Sequence, residues 1–145
     1  MPSPLTVETD IAEIVENFQM LDSWEDRYGY LIELGRQLRE LPPGAQSDAN
    51  KVKGCVSQVW VVPQAGDDGT LSFYGASDAH IVSGLVAIAL TLFSGRKPSE
   101  IVSIDEDETF QAIGLSEHLT PQRSNGLRSM VARIKALAEA SADRT

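Results

Sequence analysis

The chain has one cysteine, Cys55, in the stretch Asn50-Lys51-Val52-Lys53-Gly54-Cys55-Val56-Ser57-Gln58-Val59-Trp60, where a small polar segment meets a β-branched run. The chemistry open to a lone thiol is nucleophilic. Thiolate is the reactive form, and a nearby ammonium group stabilises it, whereas an apolar surround favours the neutral thiol. Lys51 and Lys53 supply such a field. Gly54 has no Cβ, so the backbone at Cys55 can swing or be approached closely. The duller reading of the same residues is a small buried hydrophobe beside two solvated lysines. A single cysteine excludes an internal disulfide. Cys55, His80 and His118 are too dispersed to give the close-spaced ligand pair of a zinc site, so no metal is expected.

The elements around this segment must hold it in place. A length of 145 residues with 42% hydrophobic content fits one domain, spanning 1–145, with a real core. Asp plus Glu outnumber Lys plus Arg by 21 to 12, a net charge of −9. Repulsion then opposes nucleic acid and anionic membrane, and a basic partner surface is favoured. The opening Met-Pro-Ser-Pro-Leu-Thr-Val-Glu has neither the positive n-region nor the apolar h-region of a secretory signal. The longest strongly apolar segment, Ile81 to Phe93, is interrupted by Ser83, Gly84 and Thr91. The expected location is the cytoplasm, where a free thiol stays reduced.

Apolar residues at Ile11, Ile14, Val15 and Phe18 predict an amphipathic helix starting between Thr6 and Asp10. Ser23 to Asp26 can cap a second helix, with a stripe through Trp24, Tyr28, Leu31, Leu34 and Leu38, stopped by Pro42-Pro43-Gly44. A polar loop from Gly44 to Gly54, without apolar anchors as far as Ala49, then delivers Cys55. Val56 to Val62 and Thr70 to Gly75 read as a hairpin whose turn begins at Pro63. Ser77 or Asp78 caps a helix that is apolar on nearly every side, the pattern of a buried central helix ended by Gly95. Pro98 opens a short turn. Four acids from Asp105 to Glu108 start a short helix closed by Gly114. Thr120-Pro121 starts the last helix, with Leu127, Met130, Val131, Ile134 and Leu137 as its stripe. The class is α+β, a single domain of helices packed on a small antiparallel sheet.

These residues resemble the SufE family over nearly the whole chain. The resemblance rests on Trp24 to Tyr28 with Leu31 to Gly35, on Gly54-Cys55-Val56-Ser57-Gln58-Val59-Trp60, on Ser77-Asp78-Ala79-His80-Ile81-Val82-Ser83-Gly84-Leu85, and on His118 to Leu127. It departs from the family at Ser83, where lysine is common, and at Gln122, where a small serine is common, and neither is expected to touch the chemistry. The resemblance implies a fold like that of the IscU-type iron–sulfur scaffold proteins. It also implies a sulfur acceptor that takes persulfide sulfur onto Cys55 from a SufS-like cysteine desulfurase, stimulates that enzyme and passes sulfur to a SufB-type Fe–S scaffold complex. It implies no cofactor for this chain, the pyridoxal phosphate belonging to the desulfurase. A noncatalytic desulfurase-binding adaptor of the paralogous CsdE type and a thiol redox sensor are the alternative readings.

Lys51, Lys53, Gly54, Asp78 and Arg123 are the candidate supporting residues. Asp78 reads first as a helix N-cap and second as a neighbour of the cysteine loop. Arg123, unfavourably placed for the dipole in a first helical turn, is a candidate for the cysteine loop or the desulfurase interface. Gly126 inside the last helix implies close packing, and Trp60 implies core. A persulfide open to water would be lost, so resting Cys55 is expected to be sheltered and to emerge on docking.

Overall fold

The computed structural model describes residues 11–54, 57–115 and 119–142. Its centre is the helix predicted to be apolar all round. This helix, α3 (His80–Phe93), follows α1 (Ile11–Met20), α2 (Trp24–Arg36), a single 3-10 turn (Asp48–Asn50), β1 (Val59–Ala65) and β2 (Leu71–Ser77). Three more helices complete the described chain: α4 (Pro98–Ser103), α5 (Glu106–Ile113) and α6 (Pro121–Ala142). Leu85, Val86, Ile88, Leu90 and Phe93 on α3 are wholly buried, because α2, the hairpin and α6 cover it on separate sides. The α2–α3 seam is the closest. A Cβ on Gly84 would overlap the Leu31 carbonyl, and one on Gly35 would lie 2.7 Å from Ser83 Cβ. Only glycine allows these helices to approach so nearly.

The sheet is one antiparallel hairpin whose register runs from Val59↔Ser77 to Ala65↔Leu71. Its inner side chains Val59, Val61, Leu71 and Phe73 are buried against α3 and the core. The first strand extends beyond the predicted end, and Pro63, expected to open the turn, instead pairs with Phe73 inside it. A two-stranded sheet consists of edges, where the missing N–H of proline is tolerated. The turn lies further on, closed by Gly66 N–H donating to the Thr70 carbonyl at 2.8 Å.

Local sequence signals account for most helix ends. Ser23 Oγ accepts from Asp26 N–H at 3.2 Å, Asp105 Oδ1 from Asp107 N–H at 3.2 Å and Thr120 Oγ1 from Arg123 N–H at 3.3 Å. These are side-chain N-caps of the kind that satisfy otherwise unpaired donors. Gly95 and Gly114 take positive φ (78° and 87°) just past α3 and α5, as predicted. The second helix is shorter than its stripe: α2 ends at Arg36, with Gln37 N–H turning back to the Leu34 and Gly35 carbonyls. Leu38 still packs on the core from outside the helix. The long α6 buries Leu127, Met130, Val131 and Ile134 and leaves Leu137 half-buried.

Candidate functional site around the cysteine loop

Cys55 and Val56 lie outside the described residues, as does His118. The frame that carries the cysteine is well defined on both sides. Val52 N–H donates to the Val59 carbonyl at 2.7 Å, and Lys51 forms an antiparallel bridge with Trp60. Together they join the residues before and after the cysteine at the start of β1. Trp60 is buried at the base of this loop, consistent with its predicted core role.

On the entry side, Gly54 has φ of 93°, and a Cβ built there would lie 2.7 Å from Ser129 Oγ on α6. Left-handed backbone and close approach both require glycine at this point. On the exit side, Asp78 and Gln58 form a reciprocal pair. Gln58 N–H donates to Asp78 Oδ1 at 3.0 Å, and Asp78 N–H donates to the Gln58 carbonyl at 3.2 Å. The N-cap reading of Asp78 is therefore corrected. Helix α3 begins two residues later, with Ala79 at its N-cap position and Ser77 Oγ accepting from Ala79 N–H at 3.2 Å. The exposed Asp78 carboxylate is spent on the strand that leaves the cysteine loop.

Arg123, in the first turn of α6, shares a cavity wall with Ser57 on the exit side of the loop. It lines, with Ser57, Val82, Gln122, Gly126 and Met130, a cavity of about 30 Å³, large enough for a single water at most. Gln122, expected to stand apart from the chemistry, is part of this wall. Gly126 is buried there, so the helix interior glycine sits where the last helix meets α3 and the loop. Lys51 is half-buried and Lys53 exposed. Both line an open hollow with Arg133 and Ser129 on α6.

Arg133 was not foreseen. Its Nε donates to the Val61 carbonyl and its Nη2 to the Ala49 carbonyl, each at 3.2 Å. One guanidinium thus ties the outer edge of β1 to the 3-10 turn that leads into the cysteine loop. Burial lowers its pKa from the ordinary arginine value, which leaves it charged at any physiological pH. The supposedly anchor-free loop from Gly44 is held here and at Ala45, which is buried and accepts Asn50 Nδ2 at 2.9 Å. The sequence signal was faint: Arg133 falls between Val131 and Ile134, at the border of the buried stripe.

Another cavity, about 230 Å³ and mostly apolar, lies between α5 and α6 against Phe110, Leu115, Leu127 and Val131. Its lining includes none of the residues that flank the cysteine. Among the described residues no His, Asp and Glu side chains converge as a metal-binding group, and no helix is long and apolar enough to cross a membrane.

A hairpin backed by a buried helix, with helices packed around it, defines a single-domain α+β protein. A solution structure of a hypothetical protein from Thermus thermophilus has this fold. It aligns over 92% of this chain and 96% of its own, with a TM-score of 0.74 and 21% identity. Residues 12–138 match the family model for SufE, described as an Fe-S metabolism associated domain. The chain belongs to the SufE family. Among its relatives, a SufE-like protein of Rhizobium meliloti is 54% identical over 134 residues, covering 90% of this chain and 96% of that protein. A second, from Rhizobium etli, is 54% identical over 126 residues and covers 85% of each.

Proposed function

We propose that this protein is a sulfur acceptor in iron–sulfur metabolism, with Cys55 as the atom-bearing group. The thiolate of Cys55 attacks the outer sulfur of a persulfide on a SufS-like, pyridoxal-phosphate-dependent cysteine desulfurase. The new bond joins Cys55 Sγ to that sulfur. The old sulfur–sulfur bond breaks, its electron pair leaves on the desulfurase thiolate, and the proton of the persulfide stays with the transferred sulfur. No oxidant is consumed. This is thiol–disulfide exchange with one sulfur replaced, so its rate follows thiolate fraction, leaving-group pKa and access.

The observation that carries the reading is the loop's frame within a SufE-family chain. The sole cysteine follows a left-handed Gly54 seated on Ser129, and the loop is pinned by Arg133 on entry and by Asp78 on exit. Such a frame fixes the residues on either side of the thiol. Stimulation of the desulfurase and delivery of sulfur to a SufB-type scaffold complex complete the proposal, as does a cytoplasmic location, which keeps the thiol reduced. The test is desulfurase turnover with and without the wild-type protein, alongside Cys55→Ser. The account expects stimulation and protein-bound sulfane sulfur with wild type and no bound sulfur with the variant. Full stimulation by Cys55→Ser would instead point to an adaptor.

A further inference from the structure

The whole chain is strongly acidic, but the ground on the entry side of the cysteine loop is not. Lys51, Lys53 and Arg133 line one open hollow of about 490 Å³, and Asp48 is the single acid among its described lining residues. That is a local excess of positive charge on a protein of net charge −9. None of the three cations enters an ion pair among the described residues, where the only ones are Arg36–Glu33 and Lys135–Glu106. A second open hollow of about 460 Å³ shares Lys51 and Lys53 and reaches Gly54. The segment from Lys51 to Gly54 is thus a cationic ridge with open space alongside, ending at the residue before Cys55.

Each cation has a different freedom. Arg133 is held in place by the Val61 and Ala49 carbonyls, Lys51 is anchored through its bridge to Trp60, and Lys53 is exposed. The half-buried Leu137 supplies an apolar patch on the same wall. An open shape with fixed charge and an apolar patch suits a protruding peptide segment in which carboxylates flank an apolar side chain.

We propose that this ridge is the docking surface for an acidic segment of the protein that delivers sulfur to Cys55, a step that rests on the sulfur-acceptor reading above. The net charge alone favours a basic partner. The local reversal makes the expected partner surface bipolar, acidic against the cysteine loop and basic elsewhere. Such an arrangement fixes orientation and quickens encounter more than it adds affinity.

The test uses the full chain carrying Cys55→Ser, so that binding is measured with no sulfur transfer. Association with a purified pyridoxal-phosphate-dependent cysteine desulfurase is followed at low and moderate salt. Lys53→Glu alone and Lys51→Glu with Lys53→Glu are expected to weaken binding about tenfold or more, mostly through slower association at low salt. Lys53 is exposed, so its reversal keeps the experiment readable if the Lys51 change disturbs the Trp60 bridge. In a parallel amide NMR titration, a peptide of alternating Glu and Leu should shift Lys51, Lys53, Ser129 and Arg133. A Lys and Leu peptide should not.

Unchanged desulfurase affinity in both reversal variants, or no desulfurase binding by the parent protein, overturns the proposal. So does tighter binding of a single-stranded oligonucleotide than of the acidic peptide on these residues. Charge-dependent docking with no sulfur found on wild-type Cys55 would uphold the docking surface and overturn the acceptor reading instead.

Discussion

The α2–α3 seam and the frame of the cysteine loop use glycine for opposite ends. At the seam, Gly84 and Gly35 remove side chains so that two helices can lock backbone against backbone, with Leu31, Leu34, Leu85 and Ile88 buried around them. At the loop, Gly54 turns the chain through a left-handed conformation beside a single serine hydroxyl, and the rest is held by a few polar contacts. The seam is close-packed and cannot deform by small steps. The described flanks of the loop, by contrast, are held by a few polar contacts. The packing that holds the fold and the proposed thiol site thereby lie in separate parts of one small fold, so changes in one are expected to leave the other nearly intact.

The largest effect is expected at the seam. Gly84→Ala places a methyl group on the Leu31 carbonyl and should cost about 3 kcal/mol, by urea unfolding, as overpacking against backbone does. Desulfurase-dependent sulfur uptake by the fraction still folded should be little changed. A cost below about 1 kcal/mol would show that the helices can part easily and would erase the contrast drawn here. Next comes Arg133→Met, which removes two charge-assisted hydrogen bonds from the Val61 and Ala49 carbonyls. It should cost about 2 kcal/mol and, unlike the seam variant, should also increase hydrogen exchange at the amides of residues 48–54.

Asp78→Ala sharpens the comparison from the exit side. It strips the acceptor from Gln58 N–H without touching the core, so unfolding free energy should drop by only about 1 kcal/mol. Alkylation of Cys55 by a bulky reagent should rise about fivefold if the loop's rest pose shelters the thiol, the same ~1 kcal/mol read as a population shift. Equal rates in both proteins, matching a free-thiol peptide at the same pH, would show an always exposed cysteine.

The smallest effect lies outside both regions, at the Glu106–Lys135 pair, 2.8 Å apart with side chains 24% and 25% exposed. Burial raises the Glu106 pKa, but the hydrogen bond and charge of Lys135 outweigh it, so the value falls below the ordinary 4.5. A depressed carboxyl pKa contributes stability above its unfolded value, and that contribution is lost as pH falls through the folded value. Glu106→Gln should therefore cost about 0.5–1 kcal/mol at pH 7 and progressively less as the pH drops below 4.5. A constant difference across that range would show that the charge plays no part.

Local chemistry explains what the sequence revealed. Caps at Ser23, Asp105 and Thr120, the glycines past α3 and α5, and the all-round apolar surface of α3 depend on residues within a turn or two of one another, so they could be read directly. The misses depend on distant partners. Asp78 has the composition of an N-cap, yet its carboxylate goes to Gln58, twenty positions away. Arg133 reaches across 84 residues to Ala49, and nothing in the spacing of either segment announces the other. Pro63 misled because its turn propensity is general, whereas its tolerance in β1 depends on the sheet having only two strands. The candidate thiol was legible because it is the chain's sole cysteine. Its supports were only partly so, because tertiary contacts made them.

Receipt of sulfur by Cys55 is read directly by intact-mass analysis. Wild-type protein and Cys55→Ser are each incubated with a cysteine desulfurase, pyridoxal phosphate and cysteine, then examined without reductant. The account requires the wild type to gain the mass of one sulfur, removable by a thiol reductant, while the variant, equally folded by circular dichroism, gains nothing. A wild type that stays at its starting mass while desulfurase turnover rises, or a serine variant that acquires sulfane sulfur, would contradict it.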